Sequence, residues 1–331
     1  MNFQNIGVIG AGGWGTALAL LLSQNRYPIT LWGHNPGETA QFAAQRENTA
    51  YLPGVKLPGE FRWTSELEDL AECDLLLFVT PSKALREVSA RLSTVMIRKE
   101  AVLLSCVKGV ERGSGSRMTE IVAEFFPRHA IAALSGPSHA EEVARQQPTA
   151  VTIACADADA AQRLQKAFTT SFFRAYTNDD VAGVELGGAL KNIFAVAAGV
   201  CDGLGLGDNT KAALVTRALA EMVRLGVALG GRRETFMGLS GIGDLMVTCF
   251  SQHSRNRRVG ERLGKGERLA DIVSSMQMVA EGVPTTYSAQ ECARKLGIET
   301  PITDQMRAIL DGAVSARDAL TALLTREPKA E

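Results

Sequence analysis

A strand that turns through glycines directly into a helix constrains this chain more than any other feature. Residues Ile6-Gly7-Val8-Ile9-Gly10-Ala11-Gly12-Gly13-Trp14-Gly15 carry an apolar strand through G-x-G-x-x-G into a helix over Thr16–Leu22. In such a turn Gly10 permits the tight bend, Gly12 lets backbone amides approach a pyrophosphate, and Gly15 lets helix and strand pack closely. The anion sits at the helix N-terminus, where unpaired N–H groups and the helix dipole favour it. Trp14 either covers the pyrophosphate or simply packs.

The surrounding pattern gives the turn its meaning. Strands are expected near Ile6–Ile9, Ile29–Trp32, Leu75–Val79, Val102–Ser105, Ile131–Ser135, Thr149–Ala154 and Phe173–Tyr176. Helical periodicity falls between them, over Gly13–Gln24, Ser82–Leu92, Ser116–Phe125 and Asp159–Phe168. Alternation of this kind predicts a parallel sheet wound by helices on both faces, a Rossmann-type α/β domain. From Asp179 onward strand-like runs disappear, and long small-residue segments over Val181–Val200 and Thr210–Leu229 predict an all-α second domain. The expected division is therefore a dinucleotide-binding domain over 1–178 and a helical substrate and catalytic domain over 179–331. The polar tail, Thr325–Glu331, is expected to fray.

Nucleotide recognition usually adds an acidic residue about 20 positions beyond the glycines, to bind the ribose hydroxyls. Here the second strand ends Leu31-Trp32-Gly33-His34-Asn35, with no carboxylate. Without like-charge repulsion a ribose phosphate is tolerated, so NADP is expected to be accepted, with preference over NAD left open. His34 either contributes to that site or is only a turn residue. The next strand ends Phe78-Val79-Thr80-Pro81-Ser82, at the carboxyl edge where ligands bind, although Ser82 reads chiefly as a cap of its own helix.

Chemistry-bearing residues follow in order. Lys108, in Cys106-Val107-Lys108-Gly109, sits at a strand's carboxyl end and either binds a carbonyl or phosphate oxygen or is solvated. The turn Ser135-Gly136-Pro137-Ser138 places Ser138 at an expected helix N-cap and offers backbone amides near the same edge. Lys191 and Asn192 lie inside the apolar helix of the second domain. A helical side chain leans over the residues three and four positions earlier, here Gly188 and Gly187, which is expected to leave room for a ligand. A desolvated lysine there is suited to exchange a proton with a carbonyl or alcohol; the alternative is a lysine snorkelling from a helix edge. In Gly241-Ile242-Gly243-Asp244, followed by Thr248, Asp244 and Thr248 fall four apart on one helix face and can orient a lysine together. Ser254-Arg255-Asn256-Arg257-Arg258 combines an N-cap serine, a planar guanidinium and an amide, an arrangement suited to phosphate.

Composition rules out other classes. A net charge of −1 over 331 residues gives no general attraction to nucleic acid or anionic lipid, and the short basic run lacks interleaved aromatics. Six scattered cysteines, with no C-x-x-C pair, indicate reduced thiols, with neither a disulfide framework nor a metal site. No leader is evident, and no apolar run is read as long enough to cross a bilayer. A cytoplasmic protein acting on a small molecule, without nucleic-acid or membrane partners, is expected.

Together the motifs G-A-G-G-W-G-T-A-L, L-W-G-H-N-P, C-V-K-G, S-G-P-S, E-L-G-G-A-L-K-N, F-M-G-L-S-G-I-G-D-L and S-R-N-R-R resemble those of bacterial NAD(P)-dependent glycerol-3-phosphate dehydrogenases. The resemblance runs from Gly10 to Pro301-Ile302-Thr303. It implies reduction of dihydroxyacetone phosphate to sn-glycerol 3-phosphate, a phospholipid precursor. It implies that Lys191 exchanges the proton, supported by Asn192, Asp244 and Thr248. Substrate would be held by Lys108, Gly136, Ser138, Lys191, Asp244, Ser254, Arg255 and Asn256. Cofactor would touch the glycine turn, Gly13, Trp14, His34, Lys108, Ala140, Arg255, Val279 and Glu281. Gly13 departs from the hydroxyl residue common in the family, and a homodimer is the family habit. Two rivals stand beside this reading: a related two-domain hydroxyacid dehydrogenase, and a nicotinamide-binding sensor without catalysis, which would need only the first domain.

Overall fold

The computed structural model describes residues 2–276 and 278–328. The expected frayed tail lies in part outside them, since residues 329–331 are not described. By internal contacts the chain divides into two compact units. One comprises residues 1–108 and 116–185; the other comprises 109–115 and 186–331. The segment 109–115, which the linear division leaves in the first domain, thus clusters with the second unit.

The first unit is built on eight strands: β1 (Ile6–Ile9), β2 (Ile29–Trp32), β3 (Arg62–Thr64), β4 (Leu75–Phe78), β5 (Val102–Ser105), β6 (Ala130–Ser135), β7 (Thr149–Cys155) and β8 (Phe173–Asn178). Their order is β3-β2-β1-β4-β5-β6-β7-β8. Strands covered on both faces read as continuous apolar runs, and β1, β4 and β5 are buried at every position. Successive side chains leave opposite faces. Val8, Leu31, Leu77 and Leu104 enter one apolar cluster, while Ile9, Trp32, Leu76, Phe78 and Leu103 enter another. Each fully buried side chain contributes roughly 1.5–3 kcal/mol. The helices of this unit are α1 (Gly13–Gln24), α2 (Pro36–Gln45), α3 (Leu85–Leu92), α4 (Met118–Phe125), α5 (Ala140–Ala144) and α6 (Ala158–Phe168).

The sheet is parallel as expected except at one pairing: β6 and β7 run antiparallel, with Leu134 opposite Ile153. A parallel return needs a crossover of a dozen or more residues, usually spanned by a helix. The link over residues 136–148 just reaches that length, but its helix, α5, has only five residues, about 7.5 Å, too short to run back along a six-residue strand, and the chain turns back beside its own strand. Parallel pairing then resumes between β7 and β8.

The second unit contains α8 (Asp208–Ala228), α9 (Arg233–Phe236), α10 (Asp244–Phe250), α11 (Arg255–Gly264), α12 (Leu269–Ser274), α13 (Gly282–Leu296), α14 (Pro301–Leu310) and α15 (Ala316–Leu324), and the division between units falls inside α7 (Val181–Gly203). A correction concerns α7. At 23 residues it is long and apolar enough to cross a membrane by length and composition, contrary to the sequence reading, and its apolar stretch is wholly buried within the protein. All six cysteines are buried free thiols.

Two buried glutamates cap neighbouring helices. Glu185 accepts the Thr119 N–H at 2.8 Å at the start of α4 and also pairs with Arg117 at 2.8 Å. On α8, Glu221 accepts the N–H groups of Ile302 and Thr303, each at 2.9 Å, and the Thr303 hydroxyl at 2.7 Å, in the first turn of α14. Burial pushes the Glu221 carboxyl above its ordinary value of 4.5, with the hydrogen bonds acting the other way. A raised folded-state value means the folded protein holds the proton more tightly than the unfolded chain. The stability it contributes is full below 4.5 and is lost as pH rises through the folded value. Against Glu221→Gln, wild type should therefore be favoured more at pH 4.5 than at pH 7.5 in urea unfolding, and the variant should cost about 1–2 kcal/mol. A pH-independent difference would contradict this.

Candidate active site

The glycine turn takes the expected geometry. Gly10 has φ +126°, and a Cβ there would come within 2.7 Å of the Val79 carbonyl oxygen, so only glycine fits. Gly15 abuts the Gly10 carbonyl. Gly12 is the N-cap of α1, and a Cβ on it would meet nothing within 4 Å. Thr16 supplies the first intrahelical amide bond, to the Gly12 carbonyl at 3.0 Å, which leaves the Gly13, Trp14 and Gly15 amides without helical partners. Nearby, Trp14 Nε1 and Thr80 Oγ1 are buried polar atoms with no hydrogen-bond partner among the described residues. An open backbone cradle with orphaned polar atoms beside it suits a phosphate-bearing dinucleotide.

His34 is exposed at the end of β2, and Asn35 after it caps α2, accepting the Gly37 and Glu38 amides at 3.0 and 3.3 Å. Ser82 is not the cap expected of it. Pro81 holds the N-cap position of a short 3₁₀ turn over Ser82–Ala84, with no side-chain capping bond.

Further along the sheet edge the structure brings two expected residues onto the carbonyl of a third. Lys108 Nζ donates to the Gly136 carbonyl at 3.0 Å, and Ser138 Oγ donates to the same oxygen at 2.8 Å. Ser138 is therefore not the N-cap of α5. His139 takes that position, without a side-chain capping bond, and the serine hydroxyl is engaged by the carbonyl two residues before it. Gly136 has φ +140° and lies against Val151. Ala140 begins α5, 3.8 Å from where a Cβ on Gly13 would stand, so two expected cofactor contacts are neighbours.

In the second unit Lys191 is 6% exposed, and its Nζ lies 3.0 Å from Asp244 Oδ1 and 2.7 Å from Thr248 Oγ1. Thr248 Oγ1 is also within hydrogen-bond reach of Asp244 Oδ1 at 3.2 Å and the Asp244 carbonyl at 2.6 Å. Asp244 and Thr248 fall one turn apart on α10, which follows a single π turn over Leu239–Gly243. Such turns recur at functional sites. One expectation is corrected here. The space above Gly187 is not open, because a Cβ there would stand 2.5 Å from the Ser240 carbonyl oxygen. The glycine admits the backbone that leads into Asp244. A buried ammonium is tolerated only when paired and hydrogen-bonded, and both conditions are met. The adjacent Cys249 thiol is pushed by burial up to about 12, with Lys191 acting against the shift, and is inert at neutral pH.

Asn192 Oδ1 accepts from Asn256 Nδ2 at 2.8 Å, and Asn256 Oδ1 accepts the Gly282 amide at 2.9 Å. This relay joins α7, α11 and the start of α13. Ser254 caps α11, accepting the Arg257 amide at 3.2 Å. Arg255 is exposed and donates to the Val279 carbonyl at 3.2 Å, next to Glu281 at the N-cap of α13. Arg257 plays another part: it donates to the Ser251 carbonyl at 3.1 Å and pairs with Asp202, which also accepts from Lys211 at 2.8 Å. Asp202 and Lys211 carried no recognisable motif. Helices α7 and α11 meet through bare backbone, with Gly199 on the Arg257 carbonyl, Gly260 on that of Val196, and Gly264 on that of Val200. Among the described residues no group of three or more His, Cys, Asp and Glu could hold a metal ion.

Comparison with known proteins agrees over both units. Residues 5–161 match the family described as NAD-dependent glycerol-3-phosphate dehydrogenase N-terminus, and residues 180–321 match its C-terminus counterpart. A glycerol-3-phosphate dehydrogenase (NAD(P)+) of Citrifermentans bemidjiense is 49% identical over 99% of each chain. One of Chlorobium limicola is 47% identical over 99% of each. A crystal structure of glycerol-3-phosphate dehydrogenase from Coxiella burnetii superposes with a TM-score of 0.94 at 38% identity, covering 98% of this chain and 99% of that one.

Proposed function

Because the chain belongs to the NAD-dependent glycerol-3-phosphate dehydrogenase family, we propose that Lys191 is the proton donor and acceptor of an NAD(P)-dependent reduction of dihydroxyacetone phosphate to sn-glycerol 3-phosphate. The observation that carries the assignment is the buried ammonium held between Asp244 and Thr248. A reduced nicotinamide held at the glycine turn would supply the hydride for the ketone carbon. As the carbonyl oxygen gains negative charge, Lys191 gives it a proton and is left as a neutral amine beside Asp244; in the reverse direction it takes the proton back. Low dielectric around the amine strengthens its interaction with the developing oxyanion.

Asn192, Asp244 and Thr248 are assigned to orienting Lys191. Ser254, Arg255 and Asn256 at the start of α11, with Lys108, Gly136 and Ser138, are assigned to the phosphorylated substrate, since backbone amides and a planar guanidinium suit phosphate. Gly10, Gly12, Gly13, Trp14, Gly15, His34, Lys108, Ala140, Arg255, Val279 and Glu281 are assigned to the cofactor. The linear division into residues 1–178 for dinucleotide binding and 179–331 for substrate and catalysis accompanies this reading. So does a cytoplasmic role as a homodimer supplying phospholipid synthesis; a monomer mass by light scattering would remove the dimer.

The direct test mixes purified protein with NADPH or NADH and a panel of ketones and follows loss of reduced cofactor. Oxidation is expected with dihydroxyacetone phosphate and not with unphosphorylated dihydroxyacetone. Turnover of another ketone with none of this one would overturn the assignment.

A further inference from the structure

Behind the glycine turn stands a residue without any motif to mark it. Asn48 lies between α2 and β3 and is fully buried. Its Nδ2 donates to the Ala11 carbonyl and to Thr16 Oγ1, both at 2.8 Å, and its Oδ1 accepts the Tyr51 N–H at 3.1 Å. One carboxamide therefore grips the turn on both sides of the stretch over residues 12–15. The segment that carries it is braced in turn. Glu47 pairs with Lys56 at 2.7 Å and accepts the Gly54 amide at 3.0 Å.

The consequence follows from peptide geometry. The chain contains no cis peptide among the described residues, and in a trans peptide a carbonyl and the next N–H point in opposite directions. With the Ala11 carbonyl turned onto buried Asn48, the Gly12 N–H faces away from it. Gly12 is also the residue where an added Cβ would meet open space. The same segment limits the next position: a Cβ on Gly13 would stand 2.7 Å from the Tyr51 carbonyl oxygen. A peptide followed by glycine is otherwise easily reoriented, since glycine accepts most backbone conformations.

We propose that Asn48 is a positioning residue for the cofactor: it locks the Ala11–Gly12 peptide so that the Gly12 N–H is presented to the diphosphate before binding. Preorganisation of this kind raises affinity by removing an ordering cost from the binding step. The proposal rests on the reading of the glycine turn as the cofactor site.

Asn48→Asp tests it. Aspartate keeps the size and the acceptor for Tyr51, but sets a carboxylate oxygen against the Ala11 carbonyl. With the full-length protein, binding of NADPH, ADP-ribose and adenosine 2′-phosphate is measured by calorimetry, the last probe lacking a diphosphate. Affinity for the first two should fall about tenfold and that for the third should hold. No change, or equal weakening of all three, overturns the proposal. If Asn48→Asp does not fold, Thr16→Val removes one of the two acceptors of Nδ2, and about threefold weakening of the diphosphate ligands is expected. Unaltered binding there overturns it as well. Wild-type protein that binds NADPH but reduces no ketone would defeat the functional reading alone.

Discussion

Lys191→Ala should reduce turnover by about 10²–10⁴-fold, the range that positioned general acids supply, while NADPH affinity stays within about threefold of wild type, roughly half the free energy of one net hydrogen bond. The expectation follows from where the amine lies. Its partners, Asp244 at 3.0 Å and Thr248 at 2.7 Å, are themselves buried, so bulk water has little access to the position of the amine. The substitution has a second effect, because it strands the Asp244 carboxylate. Removing one partner of a buried ion pair costs about 3–5 kcal/mol, so turnover must be scored per folded molecule. Lys191→Met, which keeps the apolar stem, should lose turnover equally. Near-normal rates in either variant would remove Lys191 from the chemistry.

The second large effect lies where no ligand is involved. Gly260→Ala would drive a methyl group into the Val196 carbonyl at the α7–α11 crossing, where backbone meets backbone and no rotamer can relieve the clash. Inserting a methyl into tight packing costs roughly 1–3 kcal/mol, and a backbone neighbour puts this site at the upper end. Because Ser254 caps α11 and Asn256 lies in its first turn, and both are proposed to hold substrate, any displacement should also raise KM for the phosphorylated substrate. Urea unfolding and steady-state kinetics read the two effects. A variant within about 0.5 kcal/mol of wild type, the range of an ordinary surface change, would show that the helices separate easily.

Much of this was legible before any coordinates, for identifiable reasons. The glycine turn, the strands at Ile6–Ile9 and Val102–Ser105, and the helix Gly13–Gln24 announce themselves because their signals are local in the chain. The partnership of Asp244 and Thr248 was equally local, being one helical turn. Other features depend on residues distant in sequence. The antiparallel pairing of β7 and the filled space above Gly187 depend on what the fold brings alongside, whereas the burial of α7 follows from its being apolar on nearly all sides. One further local signal precedes α2. Asn35-Pro36 with Glu38 three residues after the cap marks the start of α2. The three-residue β3, Arg62–Thr64, is too short for any alternation to show. Asn48, Asp202 and Lys211 act across many tens of residues or at helix ends, and nothing in their immediate neighbours distinguishes them from ordinary polar positions.

The buried cysteines have a practical corollary. Cys73, Cys106 and Cys155 belong to the first unit, and Cys201, Cys249 and Cys292 to the second. Burial holds Cys73 and Cys201 at about 12 and about 11, so both stay protonated at neutral pH. A thiol in that state reacts with a disulfide or alkylating reagent only after its surroundings open. The chain thus carries an internal set of stopwatches: mass-resolved alkylation over time reports how often each half breathes, without a single engineered label.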